Sequence, residues 1–152
     1  MKKVVELIIL NTPDEYRKEF EENYANSSFT LRPNVPVVFV AEDFDHIFSE
    51  PGPEGTGRVF SLRRAKKMHF MKAILSNDIG TEIMLETESG NIAVFCDALD
   101  CVMYLRIRPP TGRLQVATFF DFGKDHTKMN KKQKKKCVPI SDDELMNKVK
   151  NT

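Results

Sequence analysis

Between Thr81 and Phe120 the chain changes from helix-like spacing to short runs of strand-forming residues separated by turn residues. No other feature constrains the fold as strongly, because a period of two sends successive side chains to opposite faces of a sheet. Four strands are predicted: Glu82 to Glu86, Ile92 to Cys96, Val102 to Arg108 and Leu114 to Phe120. Glu88-Ser89-Gly90-Asn91 has the composition of a hairpin turn, and Pro109-Pro110-Thr111-Gly112 that of a later one. With turns rather than helices between the runs, neighbouring strands are expected to be antiparallel. Alternation over residues 104 to 108 places Tyr104, Arg106 and Arg108 on one face and Leu105 and Ile107 on the other. One face belongs to the core, and the other is a candidate working surface.

The rest of the chain supplies helices. Thr12-Pro13-Asp14-Glu15 reads as an N-cap, a proline at the first helical position and a capping box, and it opens a helix to about Tyr24 with Tyr16, Phe20 and Tyr24 on one stripe. Ser61 caps a second helix over about Leu62 to Leu75, with Leu62, Ala65, Met68, Met71 and Leu75 as its apolar face. A short third helix starts near Ser141, its acids in the first turn and Lys148 and Lys150 at the far end. The N-terminal run VVELIIL and residues Val37 to Val40 read as strands, and the glycines and prolines of Pro51 to Gly57 make an irregular loop. The expected fold is α+β: one domain over residues 1–152, with helices on one face of an antiparallel sheet of about four strands. A chain of 152 residues has enough length for one sizeable core.

Several classes are excluded by what the sequence lacks. No apolar run approaches the roughly 18–20 residues needed to cross a bilayer, and the N-terminal run is broken by Glu6 and followed by a helix start rather than a cleavage site. A cytoplasmic, non-membrane protein is expected. Cys96, Cys101 and Cys137 are odd in number and have no CxxC spacing, so they read as free buried thiols rather than disulfides or a zinc site. Dinucleotide, P-loop, nucleophile-elbow and HExxH motifs are absent, and no cofactor or metal is implied.

The net charge is only +1, but the charges are segregated. Glu42, Asp43, Asp45, Glu50 and Glu54 form an acidic stretch, followed by the basic stretch Arg58, Arg63, Arg64, Lys66, Lys67 and Lys72. A second, Lys-rich basic segment covers residues 124–136 and has no Phe, Tyr or Trp, so it would supply charge without base stacking, or would be a solvated tail. Separate cationic segments in a near-neutral chain point to a local anionic partner such as phosphate. Arg63, Arg64, Lys66 and Lys67 can grip phosphate or can simply be the wet face of a helix. Arg106 and Arg108 beside Tyr104 offer phosphate binding next to a stacking ring. His46 stands before the flexible loop and can move protons near neutral pH; the competing reading packs it beside Phe44 and Phe48. His69, between Met68 and Phe70, reads as structural.

In order along the chain, His46, a loop, PheSerLeuArgArgAla (60 to 65), a meander with Arg106 and Arg108, and AlaThrPhePhe (117 to 120) resemble the phage- and toxin-associated branch of the barnase, EndoU, colicin and RelE-like ribonuclease superfamily. The resemblance covers residues 37–121. It implies a metal-independent endoribonuclease that cleaves RNA through its own 2′-hydroxyl, on a four-stranded antiparallel sheet. It also implies His46 as the acid/base group, Arg63 with Arg106 or Arg108 as phosphate clamps, and Thr118 as a polar contact near the scissile phosphate. Arg64, Lys66, Lys67, Tyr104 and Arg108 would bind substrate, and a protein inhibitor or antitoxin is a conceivable partner. Two alternatives stand beside this: a non-catalytic nucleic-acid-binding module, and an antitoxin-type or phage accessory interaction factor.

Overall fold

The computed structural model describes residues 5–76, 80–108, 112–122 and 125–150. Helix α1 (Pro13–Phe20) starts as its cap predicts, with Thr12 Oγ1 accepting the Glu15 N–H at 3.2 Å, and it continues as a π turn over Glu21–Ala25. Tyr16, Phe20 and Tyr24 are all fully buried. Strands β1 (Phe29–Leu31) and β2 (Val35–Val38) form a hairpin, and a 3-10 turn leads into the one-turn helix α2 (Phe44–Ile47). The Gly/Pro loop is the tip of a small hairpin, β3 (Ser49–Pro51) with β4 (Arg58–Phe60). At Gly52 a Cβ would lie 2.8 Å from Val59 Cγ1 and 2.9 Å from the Gly57 carbonyl oxygen, closer than packed atoms approach. Helices α3 (Leu62–Ala65) and α4 (Met68–Ser76) follow, then strands β5 (Glu82–Glu86), β6 (Ile92–Cys96), β7 (Cys101–Arg108) and β8 (Arg113–Asp121), helix α5 (His126–Lys134), strand β9 (Cys137–Pro139) and helix α6 (Asp142–Lys150).

The four strands expected from the change of period are consecutive and antiparallel, and their bounds match to within one residue. The first hairpin turn falls on the predicted residues; the later one lies largely outside the described residues. The sheet, however, has seven strands rather than four, in the order β1-β2-β8-β7-β6-β5-β9. It is mixed, because β2 runs parallel to β8 with Val37 opposite Leu114 and Val38 opposite Gln115. The two open edges of the four-stranded meander attract short strands that satisfy backbone groups otherwise left to solvent.

Three further expectations are corrected. Residues 5–10 form no strand: Ile8 donates its N–H to the Lys66 carbonyl at 2.9 Å and its own carbonyl accepts from the Tyr16 hydroxyl, so a helix connection takes the backbone groups that a ladder would use. The second helix is broken at Lys66-Lys67 by a tight turn in which Lys67 N–H bonds the Arg64 carbonyl. Leu62 is consequently 46% exposed, while Ala65, Met68, Met71 and Leu75 are buried. Helices also cover both faces of the sheet. The larger core gathers α1, α4 and α6 with Ile92, Val94, Cys96, Met103, Leu105, Val116 and Phe119. The smaller, around Phe95, Val102 and Tyr104, is covered in part by Met129 of α5. From His126 to Lys134 the Lys-rich segment is therefore a docked helix rather than a tail, while Lys124 lies outside the described residues; Lys134 is held by Glu82 at 3.0 Å and Asp97 at 3.5 Å.

Candidate functional site

Alternation along β7 is as expected. Cys101, Met103 and Leu105 enter the larger core, Val102 and Tyr104 the smaller one, and Arg106 and Arg108 are exposed beyond it on the Tyr104 face. The decisive irregularity is on β8. Leu105 faces Val116, but Tyr104 faces Thr118, so Ala117 is an extra, unpaired residue in a β-bulge. In an unbroken ladder Thr118 would face Met103 and point into the larger core. The bulge instead turns Thr118 to the Arg106 face and sends Phe119 inward, where it is fully buried.

Helix α2 brings the imidazole to this face. Phe44, Ile47 and Phe48 are buried as its anchors, which leaves Asp45 and His46 exposed. His46 Nε2 lies 3.2 Å from Thr118 Oγ1. Arg106 is opposite Gln115, two residues along β7 from the partner of Thr118, or about 7 Å. It makes no hydrogen bond or ion pair among the described residues. Gln115 is held on both sides, donating to the Asp43 carboxylate and accepting from Arg108 Nη1 at 2.6 Å. His46, Thr118, Arg106 and Arg108 are thus carried on adjoining elements at one sheet face.

Arg63 is not among them. It binds Asp121 Oδ1 at 2.7 Å and approaches Glu50 at 3.5 Å, while Lys67 binds Asp121 Oδ2 at 2.6 Å. Asp121 is opposite Cys101, at the far end of β7 from Arg108. Its side chain is only 4% exposed; burial alone would raise its pKa, but the Lys67 hydrogen bond and the charges of Lys67 and Arg63 outweigh burial and hold it below the usual carboxylate value. Arg64, one residue on, turns elsewhere: Nη1 donates to the Ser49 carbonyl at 2.6 Å and the guanidinium lies 5.8 Å from the Phe120 ring centre. Burial, then the neighbouring charges of Arg58 and Arg63, lower its pKa. Lys66 contributes its carbonyl to the Ile8 N–H.

Tyr104 is also displaced from its expected role. It is 6% exposed, its hydroxyl donates to Gln133 Oε1 at 2.9 Å and its ring stacks with Phe120 at 6.0 Å, so it is core rather than a free stacking surface. His69 is structural as expected, between the Tyr24 hydroxyl at 2.9 Å and Glu19 at 3.2 Å. The sequence does not single out Asp43, Gln115, Arg58 or Arg113 for a site, since nothing local marks residues whose role comes from pairing across strands. Among the described residues no group of three or more His, Cys, Asp or Glu is placed to hold a metal ion, and no helix is long and apolar enough to cross a membrane.

The fold is α+β, a mixed seven-stranded sheet with six helices and a small accessory hairpin among the described residues. None of the family models, curated proteins or solved structures compared with the chain matches it.

Proposed function

We propose that the chain is an endoribonuclease that cleaves RNA by attack of the 2′-hydroxyl on the adjacent phosphate, without a metal ion, as a toxin-like or phage-associated enzyme of the cytoplasm. The observation that supports this reading is the 3.2 Å contact of His46 with Thr118 on a sheet face that also presents Arg106, which makes no hydrogen bond or ion pair among the described residues. An imidazole, a hydroxyl and a guanidinium are the groups such chemistry uses. His46 takes the proton of the 2′-hydroxyl as the 2′-oxygen bonds to phosphorus. Arg106 receives the growing charge of the phosphoryl oxygens, the bond from phosphorus to the 5′-oxygen breaks, and water protonates that oxygen. Thr118 orients the imidazole, and its hydroxyl would serve as a polar contact to the phosphate. Arg63, bound to Asp121, is assigned to structure in this reading, and the clamp on the scissile phosphate passes to Arg106.

An RNA cleavage assay with chelator present tests it. The product should end in a 2′,3′-cyclic phosphate, RNA with 2′-deoxy at the scissile position should resist, and His46→Ala should slow cleavage by about 10²- to 10⁴-fold with folding intact. Cleavage by His46→Ala at the parent rate defeats the reading. The docked helix α5 favours one second reading, a non-catalytic nucleic-acid binder, because Lys131, Lys132, Lys135 and Lys136 remain exposed on and beside it. Persistent RNA binding without turnover would select that reading, and a stable protein complex without RNA binding would select an interaction factor.

A further inference from the structure

Beyond Arg106 the same sheet face runs into a cleft of about 400 Å³. Its sides are Ala25 and Asn26 at the end of the π turn, the stretch from Val38 to Ala41, and the pair Arg108 and Arg113. Three features make it a built feature rather than a surface dent. Arg108 and Arg113 are directly opposite each other across β7 and β8, which brings two guanidinium side chains to the same end of the cleft. Arg108 is held in place by Gln115, itself anchored on Asp43, so its guanidinium is positioned before any ligand arrives. Finally, the lining from Val38 to Ala41 is apolar, and the exposed Asn26 adds an amide that can both donate and accept. Two forked cations beside an apolar wall and an amide match a phosphate joined to a sugar and base.

We propose that this cleft is a second RNA subsite. It takes a nucleotide beyond the two that flank the scissile bond, with the phosphate between Arg108 and Arg113 and the base along the Val38 to Ala41 wall within reach of Asn26. The inference rests on the ribonuclease reading and extends it. Arg108 is four residues along β7 from the partner of Thr118, about 13 Å, so the substrate is a strand of several nucleotides laid along β7 and β8 rather than a dinucleotide.

The test compares a 2′-O-methyl RNA hexamer, which cannot be cleaved, with the corresponding dinucleotide by fluorescence anisotropy, and runs cleavage assays on unmodified RNA of both lengths. The parent should bind the hexamer more tightly. Arg113→Gln should weaken hexamer binding about tenfold, as expected for removal of one charge-assisted hydrogen bond, with a much smaller penalty on the dinucleotide. Asn26→Asp, which places a negative charge in the cleft and removes no hydrogen bond seen among the described residues, should weaken it in the same direction. Hexamer affinity unchanged in both folded variants overturns the subsite, even if the parent cleaves RNA. Hexamer binding that depends on Arg113 and Asn26 without cleavage of the unmodified strand keeps the subsite and defeats the catalytic reading. A parent that binds neither RNA overturns both.

Discussion

Arg58 and Arg64 donate to one acceptor: the Ser49 carbonyl takes Arg58 Nη2 at 2.7 Å and Arg64 Nη1 at 2.6 Å. Ser49 is 7% exposed, and its own hydroxyl donates to the His46 carbonyl at 3.3 Å, so the two arginines steady the corner from which His46 projects. Because either arginine alone still satisfies the carbonyl, Arg58→Ala and Arg64→Ala should each cost about 0.5–1.5 kcal/mol. The double variant should cost more than their sum by roughly 1 kcal/mol, since it leaves a buried acceptor unpaired. A double-mutant cycle by urea denaturation measures this; strict additivity would show that the shared carbonyl does not couple them.

Asp121 makes stability depend on acid. Its folded pKa lies below the unfolded value, so its contribution is present above the unfolded pKa of about 3.9 and is lost as pH falls through the lower folded value. Asp121→Asn should destabilise the protein at pH 7 by about 2–3 kcal/mol, less than a fully buried pair because Arg63 and Lys67 are partly exposed. The variant should also lose less stability than the parent below pH 4. Melting temperatures measured from pH 7 to pH 2 distinguish the two curves, and parallel curves would remove Asp121 from the account.

Phe20 is the hub of the aromatic core, with ring centres of Tyr24, Phe39, Phe44 and Phe48 at 5.7 to 6.0 Å. Phe20→Ala should cost about 3–5 kcal/mol and Phe20→Leu markedly less, because leucine fills most of the void. Since Phe44 opens α2 and Phe48 follows it, the alanine variant should also disturb His46, visible as an altered imidazole signal by NMR before global unfolding.

Neutralising Lys131, Lys132, Lys135 and Lys136 should flatten the salt dependence of RNA binding, by up to about 0.7 in the log–log slope for each phosphate that a lysine no longer neutralises. Lys134→Ala should behave differently. Its ammonium is engaged by Glu82 and Asp97 and lies 5.4 Å from the Phe95 ring centre, so its removal should chiefly lower stability. A salt slope unchanged in the fourfold variant would exclude α5 from RNA binding.

The residues of β5 to β8, the turn at Ser89-Gly90, and the caps at Thr12, Ser61 and Ser141 are legible in the chain because each is decided within a few residues. Alternation selects a strand, a glycine at φ 76° suits Gly90 to its turn, and a hydroxyl one residue before a helix bonds the amide three residues on. The same locality explains why alternation assigns the face of Arg106 and Arg108 correctly and yet mistakes the role of Tyr104. The face of Tyr104 is evident from its neighbours, but the helix that covers it comes from residues 126–134.

What tertiary structure alone decided concerns partners distant in sequence. The run from Val5 to Leu10 has strand propensity, yet it lies against the α3–α4 connection and Tyr16 rather than in the ladder. β2 joins β8 in parallel across more than seventy residues, and neither segment encodes that choice by itself. Above all, whether Thr118 faces the core or His46 turns on one unpaired residue, Ala117. Local pattern sets the period of a strand, but its register is set by which slip leaves the fewest apolar groups in water, and that is a property of the whole packed sheet.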